Sequence, residues 1–124
     1  MMEDEVKKRT RRWLETKGYK VKAEVKISCP DDSENNHGSV VLDFWAYKDP
    51  AKIVWCECKG DQSLSELLEG FIRLEFGVFY GGGHGILAVP HTATMRLLSH
   101  KKFLAQAKDV IQILDVEQNK LKQM

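Results

Sequence analysis

The apolar positions of the chain change period several times, and each change marks an element. Val6, Thr10, Trp13 and Leu14 recur at helical spacing with Gly18 behind them as a stop, which predicts a helix over Glu3–Thr16. Tyr19, Val21, Ala23, Val25 and Ile27 then alternate with Lys20, Lys22, Glu24 and Lys26, the period of a half-buried strand. Residues 30–38 (PDDSENNHG) are polar and turn-rich and read as a loop. Residues 39–47 and 52–59 are β-branched, aromatic and apolar on both faces. With turn chemistry between them at Lys48-Asp49-Pro50-Ala51, they predict a hairpin lying centrally, covered on two sides.

Ser63 and Glu66 form a capping-box pair that opens a second helix, running to about residue 79. Leu64, Leu67, Leu68, Phe71, Ile72, Leu74 and Phe76 are expected to supply its buried face. A flexible glycine-rich connector (81–85) leads into a short buried strand over 85–90 (GILAVP). Thr92 is placed to cap a third helix ending near 107, residues 110–116 (VIQILDV) form a last strand, and a polar tail closes the chain over 116–124. The order α-β-β-β-α-β-α-β predicts one α/β domain over 1–124, a mixed central sheet flanked by helices. The first three strands should form an antiparallel meander, and the later ones should enter through helical crossovers.

Composition narrows the classes. At 124 residues, 43% apolar and 30% charged, the chain suits one globular domain and does not read as disordered throughout. No apolar run approaches the roughly 18 residues of a membrane span, and the first ten residues (MMEDEVKKRT) lack the apolar core of a signal peptide. Three cysteines, Cys29, Cys56 and Cys58, are too few and odd in number for a disulfide scaffold, so a reducing, cytoplasmic setting is expected. The net charge of +1 hides an asymmetry: residues 7–26 hold nine Lys/Arg against Glu15 and Glu24, a local +7. Such a stretch points weakly to a polyanionic partner.

The chemistry concentrates in residues 40–61, VVLDFWAYKDPAKIVWCECKGD. With the turn centred at residue 50, Asp43 faces Glu57 and Trp45 faces Trp55, while Glu57 and Lys59 share a face of the third strand. Like charges opposite one another on paired strands are destabilising, and burying one unpaired costs several kcal/mol. Lys59 supplies part of the compensation. A divalent cation would supply the rest, and hard carboxylate oxygens suit Mg²⁺ or Mn²⁺. On spacing alone, a solvated charge network at the end of the sheet is the simpler account.

The order of elements around these residues is more specific. Asp43 lies on the second strand and Glu57-Cys58-Lys59 on the third, with a leading helix and meander before and a helix and apolar strand after. Tyr19-Lys20-Val21 and Leu87-Ala88-Val89-Pro90 are softer matches. The pattern resembles the PD-(D/E)xK nuclease superfamily, the restriction-endonuclease-like fold, over roughly residues 3–90. The resemblance implies that Asp43, Glu57 and the Cys58 carbonyl hold the metal, and that Lys59 orients or deprotonates the attacking water and steadies charge on the phosphate. Leu42 stands where the family name has proline. The resemblance also implies a supporting glutamate on the first helix, with Glu3 in phase with the inward stripe and Glu5 one position off it. A polar residue inside the helix after the motif is a further family feature. Arg73 is placed for that role, or equally for an exposed pair with Glu69, and Gln62 is placed to reach the site from the strand end.

Several other features are assigned no chemistry. C-x-C inside an apolar strand lacks the turn geometry of structural zinc, so Cys56 and Cys58 read as small hydrophobes pointing away from the carboxylates. The 81–85 loop leads into a strand, with no helix N-terminus to receive an anion. His37, His84, His91 and His100 have no partner at triad or metal spacing. Trp45 and Trp55 read as core aromatics.

The resemblance thus implies a metal-dependent nuclease acting on DNA, endonucleolytically, with RNA as the alternative substrate. Lys8, Arg9, Arg12 and Arg73 would contact phosphates. A domain this small offers little clamping surface, so a homodimer or larger complex is expected. The rival reading is a catalytically silent nucleic-acid-binding or assembly module that keeps the fold.

Overall fold

Helix α1 (Glu3–Thr16) carries Glu3, Asp4 and Glu5 in its first turn, where carboxylates suit the helix dipole, and buries Val6, Thr10 and Leu14 along one stripe. The structure, a computed structural model, describes residues 1–28, 38–100, 102 and 111–122. Cys29, most of the 30–38 loop, Val110 and the expected end of the third helix near 107 lie outside the described residues.

After α1 come β1 (Lys20–Ser28), β2 (Ser39–Lys48), β3 (Lys52–Cys58), α2 (Leu64–Gly81), β4 (His84–Val89), α3 (His91–Leu98), β5 (Ile111–Asp115) and β6 (Lys120–Lys122). The six strands form one sheet in sequential order. β1–β2 and β2–β3 are antiparallel, β3–β4 and β4–β5 parallel, and β5–β6 antiparallel. The domain is therefore α/β with a mixed sheet, with the expected meander and helical crossovers. Val6 and Leu14 of α1 pack with Phe44, Ala46, Cys56, Cys58, Ile86 and Ala88 on one face. Leu67, Phe71 and Leu74 of α2 and Ala93 and Leu97 of α3 pack with Leu42, Trp55, Leu87 and Ile113 on the other. No helix among the described residues is long and apolar enough to cross a membrane.

Ser63 caps α2 as its spacing predicts: the Glu66 amide donates to Ser63 Oγ at 3.4 Å and the hydroxyl donates to Glu66 Oε1 at 2.9 Å. The buried stripe of α2 is Leu67, Gly70, Phe71, Leu74 and Gly77. Ile72, expected on that stripe, is 67% exposed, because it sits about 100° round the helix from Phe71. The glycine connector is a tight turn and not a loose one. Gly82 and Gly83 adopt φ of +74° and +80°, and a Cβ on Gly83 would overlap the Ile53 carbonyl. Trp55 Nε1 donates to the Gly82 carbonyl at 3.0 Å.

Two boundaries differ from expectation. Pro90, not Thr92, is the N-cap of α3; its carbonyl accepts from the Thr94 amide at 3.0 Å and from Thr94 Oγ1 at 3.1 Å. The polar tail holds a sixth strand, three residues too short to carry a period. The turn before it is built by Asp115, which is fully buried and accepts at Oδ1 from the Glu117 and Gln118 amides, both at 3.0 Å. Asp115 Oδ2 lies 2.7 Å from His91 Nδ1, a partner for His91 that spacing along the chain does not reveal.

Burial raises the Asp115 pKa, but the His91 hydrogen bond and the two amides more than offset it, so the carboxyl titrates below its ordinary range. A depressed folded-state pKa contributes stability that is present above the unfolded value and is lost as pH falls through the folded one. Asp115→Ala strands three donors and should lower unfolding free energy by about 3 kcal/mol at neutral pH. Urea titrations of both proteins check this, and the gap should shrink in acid.

Candidate metal centre

The β1–β2 pair changes faces midway, which a regular pleat does not allow. On β2, Leu42 packs on the α2 side while Phe44 and Ala46 pack on the α1 side, although all three are even-numbered. On β1, Tyr19 and Val21 pack on the α1 side and Val25 on the α2 side with Ile27. The expected single apolar face of β1 is thus split in two, and Ala23 between its halves is exposed. Glu24 absorbs the switch with φ of +54°, an uncommon conformation for a residue with a side chain. The residue opposite the switch is Asp43, skipped between the pairs Ala23↔Phe44 and Val25↔Leu42.

The β2–β3 pairing has the expected register, with Trp45 opposite Trp55, and runs from Lys48↔Lys52 only to Phe44↔Cys56. Past that point the backbone amides of Asp43 and Cys58 have no ladder partner across the gap, and carboxylates take their place. The Asp43 amide donates to Glu57 Oε1 at 3.0 Å, and the Cys58 amide donates to Asp43 Oδ2 at 2.7 Å. The two acids are brought together because each satisfies the backbone beside the other.

Glu57 is only 4% exposed. Burial, and then the charge of Asp43, push its carboxyl up to about 8, despite the Asp43 amide, which favours the charged form. Around neutral pH Glu57 therefore holds its proton for most of the time.

The cation that meets Asp43 is Lys7, not Lys59. Lys7 Nζ lies 3.5 Å from Asp43 Oδ1 and 3.7 Å from Glu3 Oε2, and Asp43 raises its pKa. Lys59 shares the α2 side with Glu57, but its ammonium pairs with no carboxylate among the described residues. Its stem runs over α2, where a Cβ on Gly70 would lie 3.5 Å from Lys59 Cε, so Lys59 compensates Glu57 only at longer range. Lys7 was legible only as one of nine cations in the basic stretch. Its i,i+4 spacing from Glu3 does not single it out, since Asp4–Lys8 and Glu5–Arg9 share that spacing.

α1 is docked end-on to the motif. Asp61 N donates to the Met1 carbonyl at 3.1 Å, and a Cβ on Gly60 would come within 2.8 Å of that carbonyl and 2.9 Å of the Glu3 amide. Glu3 is thus linked to Asp43 through Lys7, whereas Glu5 pairs with Arg9 at 3.2 Å. Cys56 and Cys58 are fully buried on the α1 side, with Cys58 Sγ donating to Thr10 Oγ1 at 3.5 Å. Burial raises the pKa of both thiols and keeps them protonated.

The expected phosphate-contacting residues are not gathered here. Lys8 is exposed, Arg9 is paired with Glu5, Arg12 lines a separate groove, and Arg73 Nη2 reaches Glu69 at 3.5 Å; none contacts Asp43 or Glu57. Gln62 Oε1 is buried without a hydrogen-bond partner, and Arg96 Nη1 donates to the Gln62 carbonyl at 2.5 Å.

No protein-family model, curated protein or solved structure matches the chain.

Among the described residues, no three His, Cys, Asp or Glu side chains cluster as a closed metal cage. The pair nevertheless fits Mg²⁺, which is commonly held by one or two carboxylates, with waters and substrate phosphate filling the shell. The buried, proton-retaining Glu57 is the feature that a divalent cation would relieve.

Proposed function

We propose that the chain is a Mg²⁺- or Mn²⁺-dependent nuclease acting on DNA, with the restriction-endonuclease-like arrangement of the PD-(D/E)xK superfamily. The observation that carries the reading is the Asp43–Glu57 pair at the point where β2 and β3 part, with Lys59 on the Glu57 side of β3. The order α1-β1-β2-β3-α2-β4, with an antiparallel meander followed by a parallel strand, supports the same arrangement.

In this reading Asp43, Glu57 and the Cys58 carbonyl hold the metal. A metal bound there supplies water of lowered pKa and neutralises charge on the phosphate. Lys59 orients the attacking water and steadies the charge that grows on the phosphoryl oxygens as one P–O ester bond breaks. Glu3 and Lys7 fix the outer side of Asp43, so Glu3 acts through Lys7 and is a positioning residue. The rival reading, a silent binding module, draws on the same Lys7–Asp43 pair, which would serve as a permanent substitute for the metal.

The test is cleavage of labelled single-stranded, duplex, flap and junction DNAs, and of RNA, in Mg²⁺ and in Mn²⁺. Lys59→Ala should retain metal-induced thermal stabilisation while its cleavage rate falls by about 10²-fold or more. Absence of cleavage by the parent protein, together with no rise in melting temperature on adding Mn²⁺, would leave the silent module.

A further inference from the structure

We infer that the outer face of α1 and the β5–β6 turn form a second site, a groove that receives single-stranded DNA. The inference takes DNA from the nuclease reading; the groove itself stands on its own geometry. Arg9, Arg12, Trp13 and Lys17 of α1 line a depression of about 390 Å³ closed on its other side by Val116 and Asn119. It continues past Trp13 and Lys17 to Tyr19, Lys48 and Leu121.

Two properties of this groove point to unstacked bases. The first is charge. Arg9 is neutralised by Glu5 at 3.2 Å, but Arg12, Lys17 and Lys48 have no carboxylate within salt-bridge reach among the described residues. They leave a positive track suited to a phosphate backbone. The second is aromatic interleaving. Lys17 Nζ stands 5.7 Å from the Trp13 ring centroid and Lys48 Nζ 5.6 Å from that of Tyr19. Each ring is half-buried and anchored in the α1-side core, and the flexible lysine that stands over it would swing aside to let a base stack on a rigid face. Cations alternating with fixed rings are the arrangement that binds single strands through backbone and base stacking together. In a duplex the base faces are already stacked.

At about 100° per residue, Arg9, Arg12 and Thr16 project from the face of α1 roughly opposite Lys7, so the groove and the Asp43 centre flank the helix on different sides and the groove is a separate site.

The experiment is fluorescence anisotropy in EDTA, on the Asp43→Asn background so that nothing is cleaved. The probes are labelled oligo-dT, an abasic oligonucleotide of equal length, oligo-rU and a matched duplex. Oligo-dT should bind about 10-fold tighter than the abasic strand. Trp13→Leu should remove that advantage without weakening the abasic strand. Arg12→Gln, at an exposed position that leaves the core untouched, should weaken both and lower the salt slope by about one. Equal binding of oligo-dT and the abasic strand, tighter binding of duplex or oligo-rU, or an unchanged affinity in both variants would overturn the proposal. Binding retained in a protein that never cleaves supports the groove and removes only the nuclease reading.

Discussion

If the proposed nuclease reading holds, Asp43→Asn is expected to cleave DNA at least about 10³-fold more slowly than the parent in Mg²⁺, and its melting temperature should no longer rise when the metal is added. The magnitude follows from the several kcal/mol of transition-state stabilisation that a metal supplies, at a factor of ten for each 1.4 kcal/mol or so. Asparagine is the informative replacement because it keeps an oxygen to accept from the Cys58 amide, so the opened end of the ladder stays capped. What it removes is the charge facing Lys7 and Glu57. A folded Asp43→Asn protein with undiminished cleavage would place the activity elsewhere. Single-turnover rates at saturating metal check the first effect, and thermal melts with and without Mg²⁺ check the second.

The neighbourhood of Asp43 shows what can be read from a sequence and what cannot. The β2–β3 register was legible because the Lys48–Ala51 turn pins it, and opposite positions in an antiparallel pair then follow by counting. The face switch was not. Alternation along residues 19–27 looks like one uninterrupted face, and Glu24 carries no local mark of a left-handed backbone, unlike a glycine or asparagine. That switch sets Asp43 at the gap and lets Lys7 reach it. Lys7 itself was hidden among its basic neighbours, since charge runs along a helix do not say which member faces inward. The His91–Asp115 pair was hidden for a simpler reason: it joins the start of α3 to the end of β5, and only the parallel β4–β5 pairing brings them together. β6 is held by the Asp115 turn and by pairing to β5, and three residues offer no hydrophobic period to detect. The α2 cap and the central hairpin, by contrast, depend on interactions within a few residues, which is why Ser63–Glu66 appears as its spacing indicates.

The metal-free protein should lose stability as pH rises from about 5 to about 8, and Glu57→Gln should remove that loss. The sign follows from the elevated carboxyl. Unfolded, Glu57 releases its proton near 4.3 or so; folded, it holds the proton up to about 8. Between those values the native state binds more protons than the unfolded state, so unfolding free energy falls with increasing pH. The full span of the shift bounds the effect, which is expected to be on the order of a few kcal/mol. The substituted amide would still accept from the Asp43 backbone N–H while carrying no charge for Asp43 to repel, so the variant should be the more stable protein at pH 8 and inactive in cleavage. Saturating Mg²⁺ should reverse the parent's trend. The cation competes with the proton on Glu57, so the metal-induced rise in melting temperature grows as pH goes from 6 to 8.5 or so. Melting curves over that range separate a metal centre from an inert charge network. Both lose stability with pH in EDTA, but only a metal centre recovers it when Mg²⁺ is present, and only if Glu57 is there to bind it.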